Sequence, residues 1–103
     1  MDIVDRKERR TFRRLNCNLP LRLIDTKRIA LRRGVCCDIS ANGLGVITKR
    51  VMVRKAIVDI WVMLQENQQP IYRQGTIVWQ KKIAPAQFRI GIKLESILQN
   101  NSI

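Results

Sequence analysis

The feature that most constrains the fold is an alternation of apolar and polar residues that begins near Leu19. The segment LPLRLID, residues 19–25, places Leu19, Leu21 and Leu23 on one face. Later segments are rich in β-branched and aromatic residues, which favour strands: AIVDIWVML, IYRQGTIVWQKK and FRIGIKL. Because successive side chains of a strand point to opposite faces, the alternation predicts half-buried antiparallel strands.

The segment RIALRRGVCCDIS, residues 28–40, gives the second predicted strand. Its alternation predicts that five side chains share the buried face: Ile29, Leu31, Val35, Cys37 and Ile39. Arg33 is the exception on that face. The pair Asn42-Gly43 follows directly, and both residues tolerate positive φ, which makes the pair a strong turn signal. We therefore expect a hairpin at this point.

The whole pattern gives about six short strands in a chain of 103 residues, which is the size of one domain. The predicted fold is all-β, a small six-stranded antiparallel β-barrel, because closure of the sheet removes exposed strand edges. Residues 1–15 are predicted to form a flexible basic arm and residues 16–103 the barrel domain. After the barrel we expect at most a short C-terminal helix.

Composition limits the chemistry. The 20 Lys and Arg residues against 8 Asp and Glu give a net charge of +12, which favours an anionic partner. The chain has no His, the commonest general base and metal ligand, and shows no pair of acids at catalytic spacing. We therefore expect a binding protein rather than an enzyme, without a metal site.

The three cysteines, Cys17, Cys36 and Cys37, are an odd number in a sequence without secretory features. This pattern predicts reduced thiols in a cytoplasmic protein. No apolar run reaches the roughly 20 residues of a membrane span, so none is expected.

The arm RKERRTFRRL, residues 6–15, contains five Arg and one Lys. A guanidinium group is a planar fork that donates two parallel hydrogen bonds to a phosphate or to the edge of a guanine, and its flat face stacks on a base. On charge alone the arm fits a solvated basic segment without a defined target. The preference for Arg over Lys favours the alternative, planar recognition by Arg9, Arg10 and Arg14. Phe12 is expected to anchor the arm by packing.

The segment DISANGLG, residues 38–45, places Asp38 and Ser40 on one face of a strand, opposite Ile39. A carboxylate there is able to accept two hydrogen bonds from a guanine edge, and the Ser hydroxyl to reach a phosphate or the base. Gly43 is expected to permit positive φ and a close approach of the backbone to a ligand.

Two motifs carry a family resemblance. Arg10 to Arg14 matches RxxxR, and Asp38 to Gly43 matches [D/N]xSxxG. Together with GTIVWQ and FRIGIKL, which resemble a V-x-W-like strand and a closing strand with an internal Gly, they are similar to the PilZ domain. That family is the bacterial receptor module for the second messenger cyclic di-GMP. The resemblance covers the chain from Glu8 to about Glu95 and implies a six-stranded β-barrel.

The resemblance also implies roles for individual residues. Arg10 and Arg14 would contact the phosphates and guanines of cyclic di-GMP, which is a ligand and not a cofactor. Arg9 precedes RxxxR and would add a guanidinium compatible with a stacked ligand dimer. Four further positions would complete the binding site: Asp38 and Ser40 at the guanine edge, Gly43 in the loop, and Trp79 either stacked near a base or packed in the core. Trp61 is expected in the core.

The resemblance further implies an effector protein as partner, through which the domain controls motility, surface polysaccharide or secretion. Two other functions fit the sequence. One is a small basic barrel that binds single-stranded nucleic acid, although aromatic residues make up only 5% of the chain and no specific nucleic acid is expected. The other is a PilZ-like module that interacts with proteins and does not bind the nucleotide.

Overall fold

The computed structural model describes residues 14–64 and 67–95. Six strands form within this part of the chain: β1 (Leu15–Asp25), β2 (Ala30–Ser40), β3 (Gly43–Thr48), β4 (Ile57–Val62), β5 (Ile71–Ala84) and β6 (Gln87–Leu94). The described residues contain no helix. The predicted arm, apart from its last two residues, and the predicted C-terminal helix lie outside them.

The strands close into a barrel in the order β1-β2-β3-β6-β5-β4, with β4 paired back to β1 and every neighbouring pair antiparallel. The predicted all-β, six-stranded antiparallel barrel is confirmed. A two-residue turn at Ala41-Asn42 joins β2 to β3, in the place where the sequence predicts a hairpin. Neither Asn42 nor Gly43 has a positive φ, so the turn does not use the left-handed conformation that the sequence suggested.

The core fills the inside of the ring with aliphatic side chains that all six strands contribute. In β1, Leu21 and Leu23 are buried and Leu19 packs against the same cluster, which confirms the predicted face of that strand. Met52, in the connection between β3 and β4, is also buried in the cluster. The side chain of Gln80 fixes this connection, because its amide accepts from the Met52 N–H at 3.1 Å and donates to the Met52 carbonyl at 2.6 Å.

The predicted buried face of the segment 28–40 is wrong at four of its five residues, and only Ile39 packs on the core. Cys37 is half-buried and lies outside the core cluster. Ile29, Leu31 and Val35 are exposed, and Cys36 is the side chain that enters the core. The reason is an irregularity in the pairing of β2 with β3 between Cys36 and Asp38, where the register shifts. Such a bulge changes the phase of the alternation, so that Cys36 and Ile39 both pack on the core although they are three residues apart.

Candidate ligand site on the outer face of the barrel

Four residues form a row across four neighbouring strands. Asp38 of β2 pairs with Gly45 of β3, Gly45 pairs with Gly91 of β6, and Gly91 pairs with Trp79 of β5. The row lies on the outside of the barrel, because the residues on both sides of each glycine point into the core: Leu44, Val46, Ile90 and Ile92. The two glycines carry no side chain, so the side chains at the two ends of the row lie over them.

Asp38 is the electrostatic centre of this surface. Its carboxylate is 6% exposed and is paired with two guanidinium groups. Arg14 Nη2 contacts Oδ1, and Arg89 Nη2 lies 2.7 Å from Oδ2. These ion pairs compensate for the burial of the charge, and each arginine remains about half exposed. A buried acid is thus held beside two cations that are accessible to a ligand.

Gly45 sets the position of this carboxylate. A Cβ atom on Gly45 would overlap the Asp38 carboxylate and lie 2.9 Å from its Cγ. The carboxylate therefore occupies the space that a side chain at position 45 would fill. Any larger residue there displaces Asp38 from its two arginines.

Trp79 forms the other end of the row. Its indole lies over Gly91, where an added Cβ would come within 2.8 Å of the indole Cδ1. The side chain is 44% exposed and does not belong to the core cluster. Of the two placements that the sequence allowed for Trp79, the core position is wrong. Trp61, expected in the core, is half-buried and packs on Tyr72 with their ring centroids 5.4 Å apart.

Ser40 and Gly43 lie at the hairpin next to the row. The Ser40 hydroxyl lies 3.1 Å from Asn42 Oδ1 and 3.4 Å from the Gly43 carbonyl, so it bonds within its own turn. Gly43 pairs with Lys93 of β6, and a Cβ at position 43 would lie 3.1 Å from the Ile92 carbonyl. The space at Gly43 is therefore tight for reasons of strand packing, without a positive φ.

Three thiols lie close to Asp38. Cys17 Sγ is 3.3 Å from Cys36 Sγ, and Cys37 Sγ is 3.8 Å from Asp38 Oδ2. Burial raises the pKa of Cys36 to about 12, and the Cys17 hydrogen bond acts in the same direction. Burial also raises the pKa of Cys37. Within residues 14–64 and 67–95, no group of three His, Cys, Asp or Glu side chains is placed to hold a metal ion.

Comparison with known proteins identifies the family. The model of the PilZ domain matches residues 8–102. The chain belongs to the PilZ domain family. PilZ domains bind cyclic di-GMP as a ligand, and they are binding and adaptor modules.

The solved structures that resemble this PilZ domain include the Bacillus subtilis inhibitor of motility, MotI/DgrA. The TM-score is 0.68 at 14% sequence identity, and the match covers 89% of this chain and 44% of the other. At that identity the likeness concerns the fold, and the chain spans less than half of its neighbour's length. No curated protein matches the chain. Where the structure is described, no helix is long and apolar enough to cross a membrane.

The structure brings together some of the residues that the PilZ motifs select. Arg14, the last residue of RxxxR, contacts Asp38, the first residue of DxSxxG. Ser40 and Gly43 adjoin them at the hairpin, and Trp79 ends the same row as Asp38. Arg9, Arg10 and Phe12 lie outside the described residues, so their predicted roles stay predictions.

Sequence reasoning did not select Arg89, Gly45 or Gly91. A signal for Arg89 was present in FRIGIKL, because alternation opposite the apolar Ile90 places Arg89 and Gly91 on the outer face. What the sequence did not reveal is the register that brings Arg89 to Asp38, 51 positions away. For Gly45 the only sequence signal was its position two residues after the motif glycine.

Proposed function

We propose that this PilZ domain is a receptor for cyclic di-GMP, and that the nucleotide binds on the outer face around Asp38. The observation that carries the proposal is the contact of Arg14 with Asp38, which joins two motifs that are 24 positions apart. A basic tail without a defined target is not expected to pair with one particular buried carboxylate. Membership of the PilZ family supplies the ligand class.

The chemistry of the Asp38 cluster suits a guanine nucleotide. A carboxylate offers about four acceptor positions, of which Arg14 uses one on Oδ1, and Arg89 and the Cys37 thiol use two on Oδ2. Asp38 is 6% exposed, so we propose that the N1–H and N2–H₂ groups of a guanine reach it by displacing an arginine, which then binds the ligand. Arg14 and Arg89 both expose guanidinium surface, and each is suited to donate to a phosphate oxygen or to stack on a base.

The row itself offers an exposed surface for a flat ring. The Asp38 carboxylate covers Gly45 and the Trp79 indole covers Gly91, so the two glycines lie under these side chains and leave no open slot between them. The indole is 44% exposed, and we assign it as the surface on which a guanine stacks beside the Asp38 cluster.

The proposal includes the rest of the predicted site. Arg9 and Arg10 act as further clamps on the phosphates and bases, and Arg9 makes room for a stacked pair of ligands. Ser40 gives up its bond within the turn to bind a ligand oxygen, and Gly43 keeps the hairpin close to the strand edge. Binding draws the part of the basic arm that precedes Arg14 onto the barrel.

We propose that ligand binding acts by changing the surface of the protein and not by catalysis of a reaction. With ligand bound, the arm and the outer face present a new surface to an effector protein. This is a switch of the order–disorder type. Motility is the first process to examine, because the structural neighbour is an inhibitor of motility. Control of surface polysaccharide or secretion follows from the same mechanism with another effector.

Calorimetric titration with cyclic di-GMP tests the site. Asp38→Ala and Arg14→Ala are expected to weaken binding by about tenfold or more, because hydrogen bonds to charged groups each contribute about 1.5–3 kcal/mol. Asp59→Ala is the matched control, since Asp59 accepts hydrogen bonds from Tyr72 and Gln74 in the β4–β5 pair, away from the row. Equal affinities for wild type and Asp38→Ala would contradict the assignment of Asp38.

If the domain instead binds single-stranded nucleic acid, calorimetric titration is expected to give different results. Binding of a polyanion weakens steeply as salt rises and depends on length more than on identity. Recognition of cyclic di-GMP is expected to persist in raised salt and to reject GTP and cyclic GMP. Tight binding of single-stranded oligonucleotides, with no selective binding of cyclic di-GMP, would favour the alternative.

A further inference from the structure

One end of the barrel carries a second concentration of positive charge, separate from the Asp38 cluster. Three connections meet there: the β1–β2 turn at residues 26–29, the β3–β4 connection at 49–56, and the β5–β6 turn at 85–86. The β1–β2 turn is bonded to the start of β4, directly after the second connection, because the Thr26 N–H donates to the Ile57 carbonyl at 3.0 Å. We call this surface the basic end.

The connections of the basic end form one continuous surface with two hollows. A hollow of about 750 Å³ lies between the start of β2, the end of β3 and Gln87 at the start of β6. A second, of about 480 Å³, lies between the β1–β2 turn and residues 53–57. The first two connections are therefore neighbours in space, and Gln87, directly after the β5–β6 turn, borders the same surface.

The charge of the basic end is entirely of one sign. Four Lys or Arg residues lie in 26–33, four in 48–57 and two in 81–87, and these ranges contain no Asp or Glu. All are exposed except Arg32, which is half-buried. The adjoining acid, Asp25, is buried, bonds to the backbone of its own turn and pairs with Arg28 at 3.1 Å. It leaves most of the positive field uncompensated.

Exposed aliphatic side chains stand directly beside these cations. Each connection or its flank repeats two cations followed by a β-branched aliphatic residue: Lys27-Arg28-Ile29, Lys49-Arg50-Val51 and Lys81-Lys82-Ile83. The three aliphatic side chains are 75%, 59% and 44% exposed, in that order. Ile29 has a φ of 52°, a conformation that is unfavourable for a β-branched residue. The β1–β2 turn therefore displays Ile29 at a cost in free energy.

We propose that the basic end docks on the surface of an anionic lipid bilayer. Cations at headgroup level would pair with lipid phosphates, while the adjacent aliphatic side chains enter the boundary of the hydrocarbon. The exposed apolar side chains of this end are aliphatic, so they match hydrocarbon and offer no aromatic surface for stacking on nucleic-acid bases. The basic end and the nucleotide site have no residue in common, and they come nearest to each other where Lys81 pairs with Arg89.

The test is co-sedimentation of the purified protein, without nucleotide, with phosphatidylcholine vesicles that contain or lack phosphatidylglycerol. Wild type is expected to bind only the vesicles with phosphatidylglycerol. Lys27→Gln combined with Lys82→Gln is expected to weaken binding about 25-fold, at about fivefold for each cation near the surface. The charge-matched control is Arg73→Gln combined with Lys93→Gln, which removes two cations away from the three connections.

The aliphatic residues give the sharper test, because they separate a bilayer from any other polyanion. Ile29→Ser is expected to weaken vesicle binding about fivefold to tenfold, and Ile83→Ser similarly. Ile71→Ser is the matched control, since Ile71 is 37% exposed at the start of β5, at the opposite end. Circular dichroism checks that each variant is folded.

Each outcome of these experiments either supports or overturns docking on an anionic bilayer. Binding that needs phosphatidylglycerol, both basic-end cations and Ile29 supports the proposal. It is overturned if wild type ignores the anionic vesicles. It is equally overturned if Ile29→Ser and Ile83→Ser bind as tightly as wild type, because attachment would then be by charge alone.

Discussion

Gly45 controls the geometry of the Asp38 cluster more directly than any charged residue does. The Asp38 carboxylate rests where a Cβ of residue 45 would lie, and in that place it is contacted by both Arg14 and Arg89. A glycine here serves close approach rather than an unusual backbone angle, because its φ is not positive.

This contact predicts the outcome of a double-mutant cycle. Gly45→Ala is expected to lower the affinity for cyclic di-GMP by about tenfold and the free energy of unfolding by about 1–3 kcal/mol, since it displaces a buried, hydrogen-bonded carboxylate. In the Asp38→Ala background the same substitution is expected to cost much less, because no carboxylate remains to collide. Calorimetry measures the affinity for cyclic di-GMP, and urea denaturation measures the free energy of unfolding. Equal costs in the two backgrounds would show that Gly45 acts independently of Asp38.

Cys36 makes a prediction about alkaline pH. Its folded-state pKa is raised from 9.0 to about 12, first by burial and then by the Cys17 hydrogen bond. A raised pKa means that the folded state holds the proton more tightly than the unfolded state does. The resulting stability is present below about pH 9 and is lost as the pH rises toward 12. We therefore expect the advantage of wild type over Cys36→Ala in free energy of unfolding to shrink over this range.

Urea denaturation at a series of pH values measures this difference. Cys36→Ala is a suitable reference, because it removes the titrating thiol and leaves every other ionisable group in place. A difference between the two proteins that stays constant from pH 9 to 12 would contradict the raised pKa of Cys36.

Among the elements, the β1–β2 turn depends on Asp25. Its carboxylate accepts from the Lys27 N–H at 2.9 Å and the Arg28 N–H at 3.1 Å, and it pairs with the Arg28 guanidinium. Burial by itself raises the pKa of Asp25, but these donors outweigh the burial and hold the pKa below its ordinary value of 3.8. The turn thus closes around an ionised acid.

Asp25→Ala is expected to lower the free energy of unfolding by about 2 kcal/mol, because it leaves two backbone donors without their acceptor. A depressed pKa gives stability that is present above the ordinary pKa and is lost as the pH falls through the folded-state pKa. The wild-type advantage should therefore diminish in acid. Urea denaturation near pH 7 and pH 3 measures it, with Asp59→Ala as the control acid. An unchanged advantage at the two pH values would argue against the turn's dependence on ionised Asp25.

The strands show where alternation predicts a face and where it does not. In β1 the alternation of Leu19, Leu21 and Leu23 identified the core face, because the leucines are separated by polar or less buried residues. In β2 the outward-facing Leu31 and Val35 imitate a core face, and the bulge near Cys36 then changes the phase. The sequence alone carries no mark of that bulge, since it arises from pairing with β3.

At the scale of the whole molecule, the barrel followed from the number of strands and the spacing of turns, and the two motifs pointed to the family. The ligand surface was only partly accessible from sequence. Asp38 and Trp79 were selected, but the cross-strand row that relates them depends on the register of four strands. Arg89 reaches Asp38 through that register, and no local pattern records a contact across 51 positions.

The positive charge of the molecule is assigned to two different interactions. The arm and the Asp38 cluster are proposed to hold a small anionic ligand, whereas the basic end is proposed to meet an extended anionic surface. A net charge of +12 is therefore expected to serve two separable interactions. Variants of Asp38 should leave vesicle binding unchanged, and variants of Ile29 should leave nucleotide binding unchanged.

The central claim is that this PilZ domain binds cyclic di-GMP at the Asp38 cluster. The most direct measurement is calorimetric titration of the wild-type chain with cyclic di-GMP in raised salt, with Gly45→Ala and Asp59→Ala titrated alongside. We expect saturable binding of one or two nucleotides per chain at micromolar ligand or below, weakened by Gly45→Ala and unchanged by Asp59→Ala. No binding of cyclic di-GMP to the folded wild-type chain at micromolar ligand would contradict the claim.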